Sequence, residues 1–194
     1  YKIIFHELNS TESELIFEDE KVKVYTIPLN HRVYTNGFLF KEKEKSRKIN
    51  ISAVKKFKEI DICDYNNLKA GKDFKLDSGD VIKNSELTCN PEKPLSYAYC
   101  SDTSYKPTII EIIDGVDLLY HESTFLTDKE DLAAKTGHST AKQAATIAKK
   151  ANVKKLVLGH YSSRYKNISL FKEEAQEVFK NVSLAETGRV FSSK

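Results

Sequence analysis

Side chains able to bind metal or move protons recur at one kind of place in this sequence, just after short apolar runs. Tyr97-Ala98-Tyr99-Cys100 stops at Ser101-Asp102-Thr103, Val116 to Tyr120 stops at His121-Glu122-Ser123-Thr124, and Leu156-Val157-Leu158 stops at Gly159-His160. Imidazole and carboxylate suit zinc or manganese, and a carboxylate that can bridge is what a two-metal site requires. A single His at a strand end is usually structural. Three strand ends repeating the pattern point instead to one sheet edge, where sites of layered α/β proteins gather.

The elements that must position these residues follow from periodicity. Ile3-Ile4-Phe5 is a short apolar run, and Val22 to Ile27 alternates with period two until Pro28 ends it. Gly37-Phe38-Leu39-Phe40 reads as the next strand, and Asp77-Ser78-Gly79-Asp80 as a turn closing a hairpin. Pro107 opens a short helix through Ile113, stopped by Gly115. Ala141, Ala144, Ala145, Ala148 and Ala151 share one helical face, with Ser139 or Thr140 as N-cap. A last helix after Ser169 carries Phe171, Ala175, Val178 and Phe179 on one side. Strand–helix repetition of this kind predicts an α/β sandwich.

The chain has 194 residues, 40% hydrophobic and 30% charged, with 7 Gly and 4 Pro. That is one domain or most of one, and it excludes collagen-like and broadly disordered classes. No apolar run approaches the ~20 residues of a membrane span. Cys63, Cys89 and Cys100 have no C-x-x-C spacing and read as reduced thiols, which predicts a cytoplasmic location. The formal charge of +3 does not by itself imply nucleic acid. Its distribution says more, because Lys41 to Lys58 holds eight basic and two acidic residues. Such a block is either a solvated face or a phosphate-binding surface.

The strand-end residues lie within segments that resemble the ribonuclease Z (tRNase Z) family of the metallo-β-lactamase superfamily. Those segments are Pro28-Leu29-Asn30-His31-Arg32 with Gly37-Phe38, Leu68-Lys69-Ala70-Gly71, Ser101-Asp102-Thr103, His121-Glu122-Ser123-Thr124-Phe125, Gly137-His138-Ser139-Thr140-Ala141 and His160-Tyr161-Ser162-Ser163-Arg164-Tyr165. They follow family order and cover nearly the whole chain. The resemblance implies a four-layer αββα sandwich, a single domain over 1–194 with a basic exosite arm inserted at 41–75. It implies His31, Asp102 and His160 as ligands of two zinc ions, with manganese as the alternative metal and Asp102 as the bridge. Glu122 and His138 match a pair that hands a proton to the leaving 3′ oxygen. Arg164 either forks onto an RNA phosphate or makes a structural salt bridge, and Lys55, Lys56 and Lys58 fall in the arm that grips tRNA. The implied activity is endonucleolytic removal of the 3′ trailer from precursor tRNA, leaving a 3′-hydroxyl, by a homodimer.

One family motif, His-x-His-x-Asp-His, is missing, since no two of the five histidines lie within five residues of each other. With Tyr1 at the start and no Met, the sequence reads as an N-terminally truncated chain with about three of seven ligands. Such a chain is expected to bind metal weakly and not to cleave tRNA alone. The competing reading is a non-catalytic RNA-binding relative or accessory subunit of the same fold. A hydrolase of small esters fits the basic arm and the Glu122/His138 pair less well.

Overall fold

The computed structural model describes residues 2–192, which divide into two compact units. One combines residues 2–42 with 95–192, and the other is Lys43–Pro94. The first opens with β1 (Leu15–Glu18), β2 (Val22–Pro28) and β3 (Asn36–Glu42). The second holds β4 (Lys48–Ile49), α1 (Ile51–Val54), α2 (Tyr65–Lys69), β5 (Phe74–Lys75), β6 (Val81–Ile82), α3 (Asn84–Leu87) and β7 (Thr88–Cys89). The chain then supplies β8 (Ser96–Cys100), β9 (Leu118–Glu122), α4 (Glu130–Thr136), α5 (Ala141–Lys150), β10 (Lys155–Gly159), α6 (Ser169–Gln176) and β11 (Val182–Leu184).

Seven strands form one sheet in the order β1-β2-β3-β8-β9-β10-β11. The pairs are antiparallel as far as β8 and parallel from β8 to β11. Parallel neighbours must all end on the same edge, so β8, β9 and β10 deliver their C-terminal residues together. Period-two alternation sends Ala98, Cys100, Leu119, Leu156 and Leu158 to one face, where they are buried. There α5 presents Ala141, Ala144, Ala145, Ile147 and Ala148, and α6 presents Phe171 and Ala175. Small side chains on α5 let its backbone approach the sheet closely. Thr140 caps it in a capping box with Gln143, each side chain bonding the other's backbone N–H. The opposite face carries aromatic pairs, Phe40 on Tyr97 and Tyr99 on Tyr120. One sheet and one helix layer of the expected sandwich are thus present among the described residues.

The unit Lys43–Pro94 has its own core of Val54, Ile60, Leu68 and Leu87. The basic 41–75 stretch supplies its first part, and the chain continues through the β5–β6 hairpin, closed at the expected 77–80 turn.

Three local expectations fail. The first forty residues read as strands from the sequence, yet Ile3-Ile4-Phe5 is irregular, with Phe5 87% exposed, because it meets no partner strand among the described residues. Pro107 opens a 3₁₀ turn over Pro107–Ile109, and the β-branched Ile run beyond it continues in turns rather than an α-helix. The last helix stops at Gln176, so Val178 and Phe179 reach the core from the turn that follows.

Candidate active site

Glu122 is the residue around which the sheet edge is built. Its side chain is wholly buried at the end of β9, and both oxygens are saturated. Oε1 accepts from the Thr103 backbone N–H at 2.6 Å and from His138 Nδ1 at 2.9 Å. Oε2 accepts from the Thr124 hydroxyl at 2.6 Å and from the Ser139 N–H at 3.2 Å. Burial alone would raise this carboxyl, but His160, Thr124, His138 and the Thr103 amide reverse that and hold it down at about 2. Glu122 is therefore an ionised acceptor that ties together the loops after β8, β9 and α4.

His138 follows the end of α4, where Gly137 takes the left-handed conformation at φ 80°. A Cβ on Gly137 would stand 2.7 Å from His31 Nδ1, so glycine is required for space as well as for φ. The Gly137 carbonyl lies 2.9 Å from His31 Nδ1 and must accept from it, which leaves the lone pair of His31 on Nε2. His31 itself is carried by the loop after β2, pinned to the loop after β8 by the Asn30 N–H on Thr103 Oγ1 and the Ser104 N–H on the Asn30 carbonyl. The imidazole of His138 stands between those of His31 and His160, with ring centroids 5.2 Å from each.

Asp102 and His160 meet across the parallel strand ends, with His160 Nε2 3.4 Å from Asp102 Oδ1. Both are non-glycine residues with positive φ, 58° and 59°. That conformation costs on the order of 1–2 kcal/mol per residue and is typical of functional sites. His160 Nδ1 lies 3.9 Å from Glu122 Oε2, too far for a hydrogen bond. The Thr124 hydroxyl fills the gap: it donates to Glu122 and accepts from His160 Nδ1–H at 2.9 Å. This fixes the His160 tautomer and turns the Nε2 lone pair toward Asp102. The Glu122 carboxylate is the largest influence raising the His160 imidazole, partly opposed by desolvation and helped by Asp102.

Ligand-type atoms of Asp102, Glu122, His138 and His160 all lie within 4.8 Å of one another, a set able to hold a divalent cation. Because Glu122 already receives four donors, the open donors are Asp102, His160 Nε2 and the outer nitrogens of His138 and His31. Hard oxygen and borderline imidazole nitrogen fit zinc or manganese. Of the residues singled out in the sequence, Asp102, Glu122, His138 and His160 converge, and His31 packs on His138 at the rim. His121 points away into the core, fully buried, with Nδ1 on the Glu122 carbonyl and Nε2 without a partner among the described residues. Arg164 is exposed and, among the described residues, bonds only Ser162 Oγ, at 3.4 Å, and makes no ion pair. Lys55, Lys56 and Lys58 are exposed in the other unit. Sequence reasoning missed Thr103, Thr124 and Ser139, whose signal was their position directly beside the charged residues they serve.

A model of the Beta-lactamase superfamily domain matches residues 90–161, the stretch holding Asp102, Glu122, His138 and His160. Ribonuclease Z of Porphyromonas gingivalis is 46% identical over 93% of this chain and 59% of its own length. Ribonuclease Z of Parabacteroides distasonis is also 46% identical, over 97% of this chain and 62% of its own length. The chain thus spans about three fifths of these relatives. Among solved structures, the metallo-β-lactamase fold protein YhfI of Bacillus subtilis aligns with a TM-score of 0.60 at 17% identity, over 95% of this chain and 54% of that one. Human tRNase Z, short form, aligns at 0.55 and 24% identity, over 94% and 47%. With its helix-backed sheet and this likeness along nearly its whole length, the chain belongs to the ribonuclease Z family of the metallo-β-lactamase superfamily.

Proposed function

We propose that the intact protein is a metal-dependent endoribonuclease that removes the 3′ trailer from precursor tRNA and leaves a 3′-hydroxyl. The observation that carries this reading is the buried Glu122 carboxylate holding His138 by Nδ1, 2.9 Å away, beside the Asp102–His160 pair. The name shared by the relatives from P. gingivalis and P. distasonis supports the substrate class. His31, Asp102 and His160 are the residues that would hold zinc. Divalent metal bound there would supply Lewis acidity at the phosphodiester and lower the pKa of a water towards ~7.

The protein's own groups do the rest. Glu122 keeps Nδ1 of His138 bonded, so Nε2 is the nitrogen through which His138 would hand over a proton. His138 gives that proton to the departing 3′ oxygen as water adds to phosphorus, and the phosphate stays with the trailer. A general acid at an alkoxide leaving group contributes typically 10²–10⁴-fold. Thr124 and Glu122 act through the two histidines and touch no reacting atom. We assign Lys55, Lys56, Lys58 and Arg164 to tRNA phosphates, the former through the basic unit, and expect a cytoplasmic homodimer.

The test is cleavage of a precursor tRNA by the intact protein with zinc or manganese, with the 3′ end of the product mapped chemically. A 3′-hydroxyl product, with turnover lowered 10²–10⁴-fold in His138→Ala, is expected; uncut precursor or a 3′-phosphate would refute the assignment. The 194-residue chain by itself, offering three of the ligands, should bind zinc weakly and give no turnover.

A further inference from the structure

His138 stands at the returning end of an excursion from the sheet. The chain leaves after Phe125, passes through a 3₁₀ turn at Thr127–Lys129 and then α4, and comes back at His138 to enter α5. Phe125 and Thr140 close the base as a parallel bridge, with the Ala141 N–H on the Phe125 carbonyl at 3.0 Å. The His138 N–H bonds the Ala133 carbonyl on α4 at 2.9 Å, and its ring reaches Glu122 through Nδ1. The imidazole therefore follows α4, and α4 is placed by whatever holds the two stems of the excursion.

One carboxylate from outside holds both stems. Glu174 projects from α6; its Oε2 accepts from the Thr127 N–H at 2.8 Å on the outgoing stem, and its Oε1 from the Lys142 N–H at 3.0 Å on the incoming one. Hydrogen bonds to an ionised carboxylate are roughly twice as strong as neutral ones. The Lys142 amide is one of the N–H groups that the start of a helix leaves without an intrahelical partner. Its neighbours are met within the excursion, Ala141 by the Phe125 carbonyl and Gln143 by Thr140 Oγ1. Lys142 is met only by Glu174 among the described residues. The two stems are unequal: α5 is fixed by its buried alanine face, whereas Thr127 is exposed. Glu174 thus passes the fixed position of α5 on to the turn that leads into α4. Its side chain bonds only these two amides among the described residues, so it reaches His138 through the backbone alone.

We propose that Glu174 is a positioning residue for His138: by tying Thr127 to the start of α5 it fixes α4, and with it the imidazole that protonates the leaving 3′ oxygen. The inference rests on the proton-donor role given to His138 above. Small displacements of a reacting group, made far from the chemistry, are enough to lower turnover.

Glu174→Gln tests it, since the side chain keeps its size but turns an NH₂ toward one of the two donors. In the metal-free 194-residue chain, long-range ¹H–¹⁵N spectra in alkaline buffer read both imidazoles. His138 should lose the single-tautomer pattern that Glu122 imposes, while His160, held separately by Thr124, keeps its own. The intact protein is then assayed with manganese, a harder ion than zinc, on precursor tRNA and on the same RNA carrying sulfur for the bridging 3′ oxygen at the cut. A thiolate leaves without needing a proton. Glu174→Gln should lower kcat about tenfold on the oxygen substrate with KM unchanged, part of what a general acid contributes. On the sulfur substrate its defect should disappear, as should that of His138→Ala. An unmoved His138 pattern, equal disturbance of His160, or equal losses of Glu174→Gln on both substrates would reduce Glu174 to a cap of α5 and overturn the inference. Equal losses of His138→Ala on both substrates would instead remove the proton-donor reading, and the inference would fall with it.

Discussion

A single threonine hydroxyl decides which nitrogen of His160 faces outward. Thr124 stands between Glu122 at 2.6 Å and His160 Nδ1 at 2.9 Å, so the imidazole presents Nε2 outward. Removing the hydroxyl while keeping the shape, Thr124→Val, should release the ring to exchange tautomers, seen in long-range ¹H–¹⁵N spectra above pH 8. Metal affinity should drop about 10–100-fold, as for other groups that orient a ligand. Thr124→Ser should restore both. An unchanged His160 tautomer in the valine variant would show that Thr124 only packs. Glu122→Gln probes the hub from below. The amide would present N–H groups to donors that now find a carboxylate, and leaving buried donors unmet costs about 1–3 kcal/mol. Urea denaturation should register that loss with no metal present. Asp102, Glu122 and His160 could be picked out from the sequence because they end apolar runs, whereas His138 came only from the family resemblance. Thr124 could not: a hydroxyl beside a carboxylate reads as an ordinary turn residue until the distances are known.

At the scale of elements, the sheet edge functions as a template made by parallel pairing. β8, β9 and β10 share a register in which Cys100 faces His121 and Gly159 faces Glu122, so their following residues are brought level. Alternation in β2 and an N-cap of α5 at Ser139 or Thr140 were readable because they depend on local chemistry; the reciprocal bond from Gln143 was not read. α4 was not read, since seven residues give less than two turns of periodicity. The left-handed backbone at Asp102 and His160 was equally hidden, because only glycine advertises positive φ in a sequence. Where glycine does advertise it, at Gly137, the consequence can be tested. Gly137→Ala should cost about 1–2 kcal/mol for the left-handed conformation alone. Its methyl also meets His31 Nδ1 at 2.7 Å, so the His31 ring must move. A lowered melting temperature together with shifted His31 ring resonances is expected. Lowered stability with His31 resonances unmoved would mean that the loop gives way instead.

Over the whole molecule, buried ionisable groups make acid the direction of weakness. Asp117 precedes β9 with its side chain 4% exposed; burial pushes its carboxyl up, but hydrogen bonds from Lys154 and from the Ser96 side chain and amide hold it below its usual value. Glu122 is held lower still, at about 2. Carboxyls depressed in the fold bind protons more readily once unfolded. Their stabilisation is complete above the unfolded value near pH 4 and is lost as pH falls through the folded values. His121 adds to the same slope from higher pH: buried and held neutral by desolvation, it favours the unfolded chain once solution pH drops below about 6.5. Stability measured by urea titration should therefore decline in two stretches, shallowly below pH 6.5 and more steeply below pH 4.5. His121→Asn should remove the first stretch and Asp117→Asn should reduce the second. A wild-type stability that stays level from pH 7 to pH 3 would mean that these groups open to water before the rest of the fold yields, leaving the strand ends locally unfolded in acid.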